Sequence, residues 1–163
     1  MIRTPSGMAG ELIDRHWDAL LPVNPVKLAD PLQIAIRRLE AEQDDVIAYA
    51  AMEGSTRVIA YRTDMIPERQ RFALAHTMGH HVLGHVQPHL GRLLDVPDHY
   101  SVRCDIAREL EANRFALALL MPEKAVLMLV ERKGLTSITA LASAFDVAEI
   151  AMHERLKMMG LAR

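Results

Sequence analysis

His76-Thr77-Met78-Gly79-His80, set within Phe72-Ala-Leu-Ala-His-Thr-Met-Gly-His-His-Val82, is the stretch on which the fold turns. On a helix, residues four apart differ by about 40° in direction, so His76 and His80 stand one above the other on the same face. That spacing suits two ligands of one metal ion. The related pattern His-Glu-x-x-His carries a glutamate after the first histidine, where it activates water. Here Thr77 holds that position. Phe72, Ala73 and Leu83 share the stripe of the two histidines, so the pair is predicted to face the core. The stretch therefore predicts a helix that holds a metal but lacks the usual general base.

Six of the eight histidines fall between residues 76 and 99, and the other four are rival ligands. His85 lies nine residues from His76, roughly 180° round an ideal helix, and His81 lies about 140° from it. His81, His85, His89 and His99 are read as surface or outer residues. A second metal pair of His81 with His85 is the alternative, weakened by Gly84 between them. A zinc site with three protein ligands needs one more donor. The segment Arg108-Glu-Leu-Glu-Ala-Asn-Arg-Phe115 offers two carboxylates. Glu111 shares a stripe with Ala107, Phe115 and Ala118, where a carboxylate must be ligating or paired to be tolerated. It is the expected third ligand, with a bridge to Arg71 or Arg114 as the alternative. Glu109, on the face of Asp105 and Asn113, is expected to be solvated.

Outward from the motif, Val46–Met52 and Arg57–Arg62 carry the β-branched and aromatic residues of strands around Glu53-Gly54-Ser55-Thr56. Ile34–Leu39 alternates as a third strand. Helical spacing marks Glu11–Leu21, then residues 67 to about 84, about 102 to 120, and a tail from Ser137 to Met159 broken near Phe145-Asp146. Asn24-Pro25 reads as a helix start, with Asn as N-cap and Pro at the first position. Pro31 should shorten or kink that helix. The fold class is α+β: a single domain with a small antiparallel sheet packed against helices. Residues 1–10 are expected to be a flexible N-terminus, 11–133 the domain and 134–163 a C-terminal helical segment packed on it.

The chain of 163 residues is half hydrophobic, with 19 Lys and Arg against 21 Asp and Glu. It lacks the basic excess that phosphate neutralisation requires, so direct nucleic-acid binding is not expected. Its single cysteine, Cys104, cannot form an intrachain disulfide and fits a reducing cytoplasm. It reads as a small packed residue rather than a ligand, and the ten methionines read as core or interface filler. The opening residues lack the apolar segment of a signal peptide, and the longest apolar stretch, Phe115–Val130, is interrupted by Pro122, Glu123 and Lys124. No membrane association is expected.

Two separated motifs, Arg71-Phe-Ala-Leu-Ala-His-Thr-Met-Gly-His-His-Val-Leu-Gly-His85 and Glu109-Leu-Glu-Ala-Asn-Arg-Phe-Ala-Leu-Ala-Leu-Leu-Met-Pro122, together resemble the ImmA/IrrE family of zinc metallopeptidases. The strand pair before them and the tail from Ile138 to Leu161 resemble the same family, so residues 20 to 161 are covered. The resemblance implies a zincin-like domain, with Zn2+ held by His76, His80 and Glu111. It also implies a family found in phages, mobile elements and bacterial genomes, whose members cleave or inactivate helix-turn-helix repressors. Thr77 stands where that family has its catalytic glutamate. Pro31 and Gln33 depart from the usual helix-to-strand passage.

A threonine hydroxyl is no base near neutral pH, and general acid–base assistance is worth about 10²–10⁴-fold. Three readings follow. The first is a catalytically degenerate member that keeps zinc and inactivates a helix-turn-helix repressor by binding it. The second is an active or residually active zinc endopeptidase, with His81 as a conceivable substitute base. The third is a DNA-binding regulator working through its C-terminal helices, although Glu149 and Glu154 beside Arg155 and Lys157 make a poor recognition helix.

Overall fold

The computed structural model describes residues 3–40 and 45–162. Thr4 caps the first helix, α1 (Pro5–His16), its Oγ1 accepting from the Gly7 amide at 3.1 Å. Pro5 occupies the first turn, where an amide hydrogen would have no partner. The helix thus begins well before Glu11, within the segment expected to be flexible, and Ala9 is buried there. Residues 1 and 2 of that segment lie outside the described residues. Asn24 caps α2 (Pro25–Ala29) through Val26 N at 3.0 Å. Pro31 cannot donate to the helix ladder, and the chain tightens into a 3-10 turn at Asp30–Leu32.

Four strands follow: β1 (Ile34–Leu39), β2 (Ala48–Glu53), β3 (Thr56–Arg62) and β4 (Leu93–Asp95), in the order β1-β3-β2-β4. Gly54, at φ 60°, supplies the left-handed turn that joins β2 to β3. The sheet is mixed rather than wholly antiparallel, because β3 is inserted between β1 and β2 and so runs parallel to β1. The β4 strand pairs with β2, Asp95 opposite Ala48. At three residues it is too short to show a period in sequence.

The remaining helices are α3 (Pro67–Val82), α4 (Ala107–Leu120), α5 (Glu123–Leu127) with a π turn at Met128–Arg132, α6 (Ile138–Phe145) and α7 (Glu149–Met158). The core lies between α3 and α4 and extends onto α1, α6 and α7, with Leu74, Met78, Phe115, Leu119, Leu141, Phe145 and Met152 fully buried. Gly79 lets the two central helices close up. A Cβ there would meet Phe115 Cδ1 at 3.0 Å and its Cβ at 3.3 Å. Two arginines tie the C-terminal helices to this core. Arg71 donates to the carbonyls of Val23, Phe145 and Asp146. Arg155 is buried and donates to the Met121 carbonyl at 3.0 Å, satisfying a group left open after the end of α4. Among the described residues no helix is long and apolar enough to cross a membrane.

Candidate metal centre

The middle of α3 is buried on every side, from Ala73 to His81. His76 and His80 are wholly enclosed, and their Nε2 atoms face each other at 3.1 Å. The stripe expected to set them against the core does so.

The two carboxylates of α4 exchange the places expected of them, Glu109 turning inward and Glu111 outward. Glu109 is fully buried, and its Oε2 lies 3.1 Å from both His76 Nε2 and His80 Nε2. Glu111, the expected third ligand, keeps 49% of its side chain exposed and pairs with His85 Nε2 at 3.0 Å. Neither Arg71 nor Arg114 is its partner in that pair. The C-terminal half of α4 is buried all round, from Phe115 to Leu120. Apolar Ala112 and Ala116 therefore continue the stripe of Glu109, as apolar residues continue that of Glu111. Spacing alone could not choose between the two.

A fourth side chain completes the group. Asp95, at the end of β4, is fully buried, with Oδ1 at 3.4 Å from His76 Nε2 and 3.3 Å from His80 Nε2. The backbone fixes its place: Ile47 N donates to the Asp95 carbonyl at 2.8 Å. His76, His80, Asp95 and Glu109 each bring one ligand atom to within 4.8 Å of the others. Sequence reasoning missed Asp95, which sits in no periodic element.

An outer layer orients each of these groups. Asn113 Nδ2 donates to the His99 carbonyl, so its Oδ1 faces His76 Nδ1 at 2.8 Å and accepts that hydrogen. The Glu111 carboxylate accepts from His85 Nε2, which leaves His85 Nδ1 to accept from His80 Nδ1, 2.9 Å away. Both histidines are thereby set to present bare Nε2 lone pairs inward, the tautomer that a metal requires. Glu109 Oε1 accepts from Arg108 Nε at 2.9 Å. Thr77 Oγ1 lies 2.8 Å from Asp95 Oδ2 and 2.7 Å from the Ala73 carbonyl, and its single hydrogen serves these two acceptors.

The other histidines separate. His85 was expected to point away, but α3 ends at Val82 and Gly84, at φ 77°, turns the chain so that His85 folds back onto His80. His81 is buried rather than at the surface. Its Nε2 faces the Val58 carbonyl of β3 at 2.9 Å, whereas the two ring nitrogens of His85 face His80 and Glu111, so the structure does not pair His81 with His85. His89 is exposed. His99 places Nδ1 at 3.7 Å from Asp95 Oδ1 and 3.6 Å from Glu109 Oε2, beyond hydrogen-bonding length.

Burial opposes charge throughout this cluster, yet the opposite charges outweigh it. Asp95 and Glu109 raise His76 to about 9 and raise His80 as well. The two histidines in turn hold both carboxyls well below the usual carboxylate range. Tyr100 is driven up, first by burial and then by Asp95, and stays a neutral phenol. The four inward atoms all lie within 4.8 Å of one another, and Asp95 Oδ1 is buried without a hydrogen-bond partner, an arrangement that suits a cation. Nitrogen and carboxylate oxygen are donors that zinc accepts.

A cleft of about 540 Å3 runs beside the centre. Phe72, Tyr100 and Asn113 form part of its wall, whereas none of the four inward donors lines it. The Tyr100 ring stands edge-on to His76, 4.7 Å between centroids, and Phe72 packs against Tyr100. Val102 and Ile150 project from the cleft walls, 56% and 60% exposed.

A family profile described as the IrrE N-terminal-like domain, of peptidase type M78, matches residues 29–157. The radiation response metalloprotease IrrE of Deinococcus radiodurans is 36% identical over 110 residues, which cover 65% of this chain and 31% of that protein. The chain thus matches about a third of the length of this relative.

Proposed function

The chain belongs to the IrrE N-terminal-like domain family of metallopeptidases, and on that premise we propose that it is a catalytically degenerate member, which holds zinc and inactivates a helix-turn-helix transcriptional repressor by binding it. The observation that carries degeneracy is Thr77: at the position after the first histidine, where a peptidase needs a carboxylate, a buried hydroxyl is engaged by Asp95 and Ala73. Zinc in such a donor set supplies Lewis acidity when a position is open and a folding cross-link when none is. Neither His81, held by β3, nor His85, held by Glu111, is placed to take over proton transfer.

Support for a protein partner comes from the cleft, where Val102, Ile150 and Met158 stand exposed among Glu68, Arg69, Arg114 and Glu154. An apolar floor with charges of both signs at its edge suits a helix of another protein. Direct DNA binding through α7 is disfavoured, because Arg155 is buried against Met121 and Lys157 lies 3.7 Å from Glu154. A chain with one unpaired cysteine suits work in the cytoplasm.

The test is to mix the zinc-loaded chain with the helix-turn-helix repressor encoded nearest its gene. The expected result is a stable complex, release of operator DNA and intact repressor by mass spectrometry. Repressor fragments with new termini, formed at a rate that chelation abolishes, would establish the alternative, an active zinc endopeptidase.

A further inference from the structure

We propose that Asp95 is a fourth protein ligand, and that Thr77 is its positioning residue, so that the metal centre is closed and the ion is a structural cross-link between α3, β4 and α4. This deepens the degenerate reading and rests on it.

The geometry comes from the donor atoms themselves. His76 Nε2, His80 Nε2 and Glu109 Oε2 form a triangle with all three sides 3.1 Å. Asp95 Oδ1 stands 3.4 and 3.3 Å from the two nitrogens. These are five of the six edges of a tetrahedron whose centre lies about 2 Å from each corner, the bond length of zinc to histidine nitrogen and carboxylate oxygen, and the sixth, from Asp95 Oδ1 to Glu109 Oε2, is within 4.8 Å. The donor set thus matches four-coordinate zinc without an added ligand. Catalytic zinc sites keep a fourth position for water or substrate, and structural sites fill it from the protein.

Distance also decides against Asp95 as a relocated general base. A base must leave room for water between itself and the ion. Asp95 Oδ1 is instead as near the two nitrogens as a corner of the same coordination polyhedron. Its second oxygen is taken by Thr77, which fixes the carboxylate with Oδ1 inward. A glutamate at position 77 would bring a second buried carboxylate against Asp95. The threonine and the aspartate thus form one arrangement, and the residue that removes the base also secures the ligand replacing the open site. Enclosure agrees: all four donor residues are fully buried, and the cleft wall passes outside them.

The experiment uses the full chain, stripped of metal and reloaded with Co2+, with azide as the probe for an open coordination position. The natural chain should show the intense visible bands of four-coordinate cobalt, unchanged by azide. Asp95→Ala should gain an azide-dependent band shift and lose zinc affinity by at least about tenfold, in line with disruption of a ligand set. An azide response in the natural chain overturns the proposal, and this readout holds even if the variant does not fold. Unchanged zinc affinity in a folded Asp95→Ala overturns it too. These outcomes are separate from repressor cleavage: a chain that cleaves nothing yet binds azide keeps the degenerate reading and loses the closed site.

Discussion

Thr77 and Asp95 are joined across 2.8 Å between a helix and a three-residue strand, both fully buried. The pair links the position that departs from the His-Glu-x-x-His pattern to the carboxylate that faces the two histidines. Replacing Thr77 by Val keeps its shape and removes the hydroxyl. Asp95 Oδ2 then loses the donor that holds it. Loss of an outer partner typically lowers metal affinity about 10–100-fold, and a buried acceptor left unpaired costs about 1–3 kcal/mol. Competition against a chromophoric chelator measures the first and chemical unfolding of the metal-free chain the second. Unchanged values in both would mean that the Ala73 carbonyl alone holds the hydroxyl.

Removal of metal should invert the ordinary effect of mild alkali. Without a cation, the negative charges of Asp95 and Glu109 favour protonated His76 against its burial, and its pKa is raised to about 9 from an unfolded value of about 6.5. A group raised on folding contributes stability that is complete below the unfolded value and is lost as pH climbs through the folded one. Asp95 and Glu109, both lowered, contribute above the ordinary carboxylate range and lose it as pH falls. The metal-free chain should therefore be most stable near pH 5–6.5 and its melting temperature should decline toward pH 9. The zinc-loaded chain should not decline over that range, because metal binding is favoured when the ligands are deprotonated. Parallel melting curves for the two forms would contradict this.

Gly79→Ala separates helix propensity from helix packing. Alanine favours an isolated helix by about 1 kcal/mol over glycine. Here its Cβ meets Phe115 at 3.0 Å, and Phe115 is itself fully enclosed. Overpacking of this kind costs about 1–3 kcal/mol. The expected net change is destabilising, with looser zinc binding, since α3 carries His76 and His80 while α4 carries Glu109 and Asn113. A rise in melting temperature would show that the helices have room to part.

What could be read in the sequence follows from how far each signal reaches. The histidine pair, the Asn24 cap, the β2–β3 hairpin and the break at Asp146 are local, set by helical phase or by a residue suited to a cap or turn. Asp146 adopts φ 51° at that break. The parallel pairing of β1 with β3 is a matter of which strand is inserted between which, and no window of sequence records it. Asp95 reaches the centre through the pairing of β4 with β2, a contact between segments far apart in the chain. His85 reverses direction because Gly84 ends the helix that the nine-residue count assumed.

Glu109 and Glu111 give the sharpest comparison, because helical phase favoured one and the fold enclosed the other. Glu109 Oε2 lies 3.1 Å from both inward nitrogens, so Glu109→Gln removes a charge from the donor set and replaces one of its oxygens by a poor ligand. Purified Glu109→Gln should carry little zinc. Glu111 acts only through His85, which acts on His80. Glu111→Gln still accepts from His85 through its amide oxygen, so the inward tautomer of His80 survives. Its effect should fall below the roughly 10–100-fold range for a direct outer partner of a ligand. Zinc content by elemental analysis, followed by competition titration of both variants, decides the matter. Loss of zinc from Glu111→Gln with retention in Glu109→Gln would restore the assignment made from helical spacing and require α4 to turn in its groove.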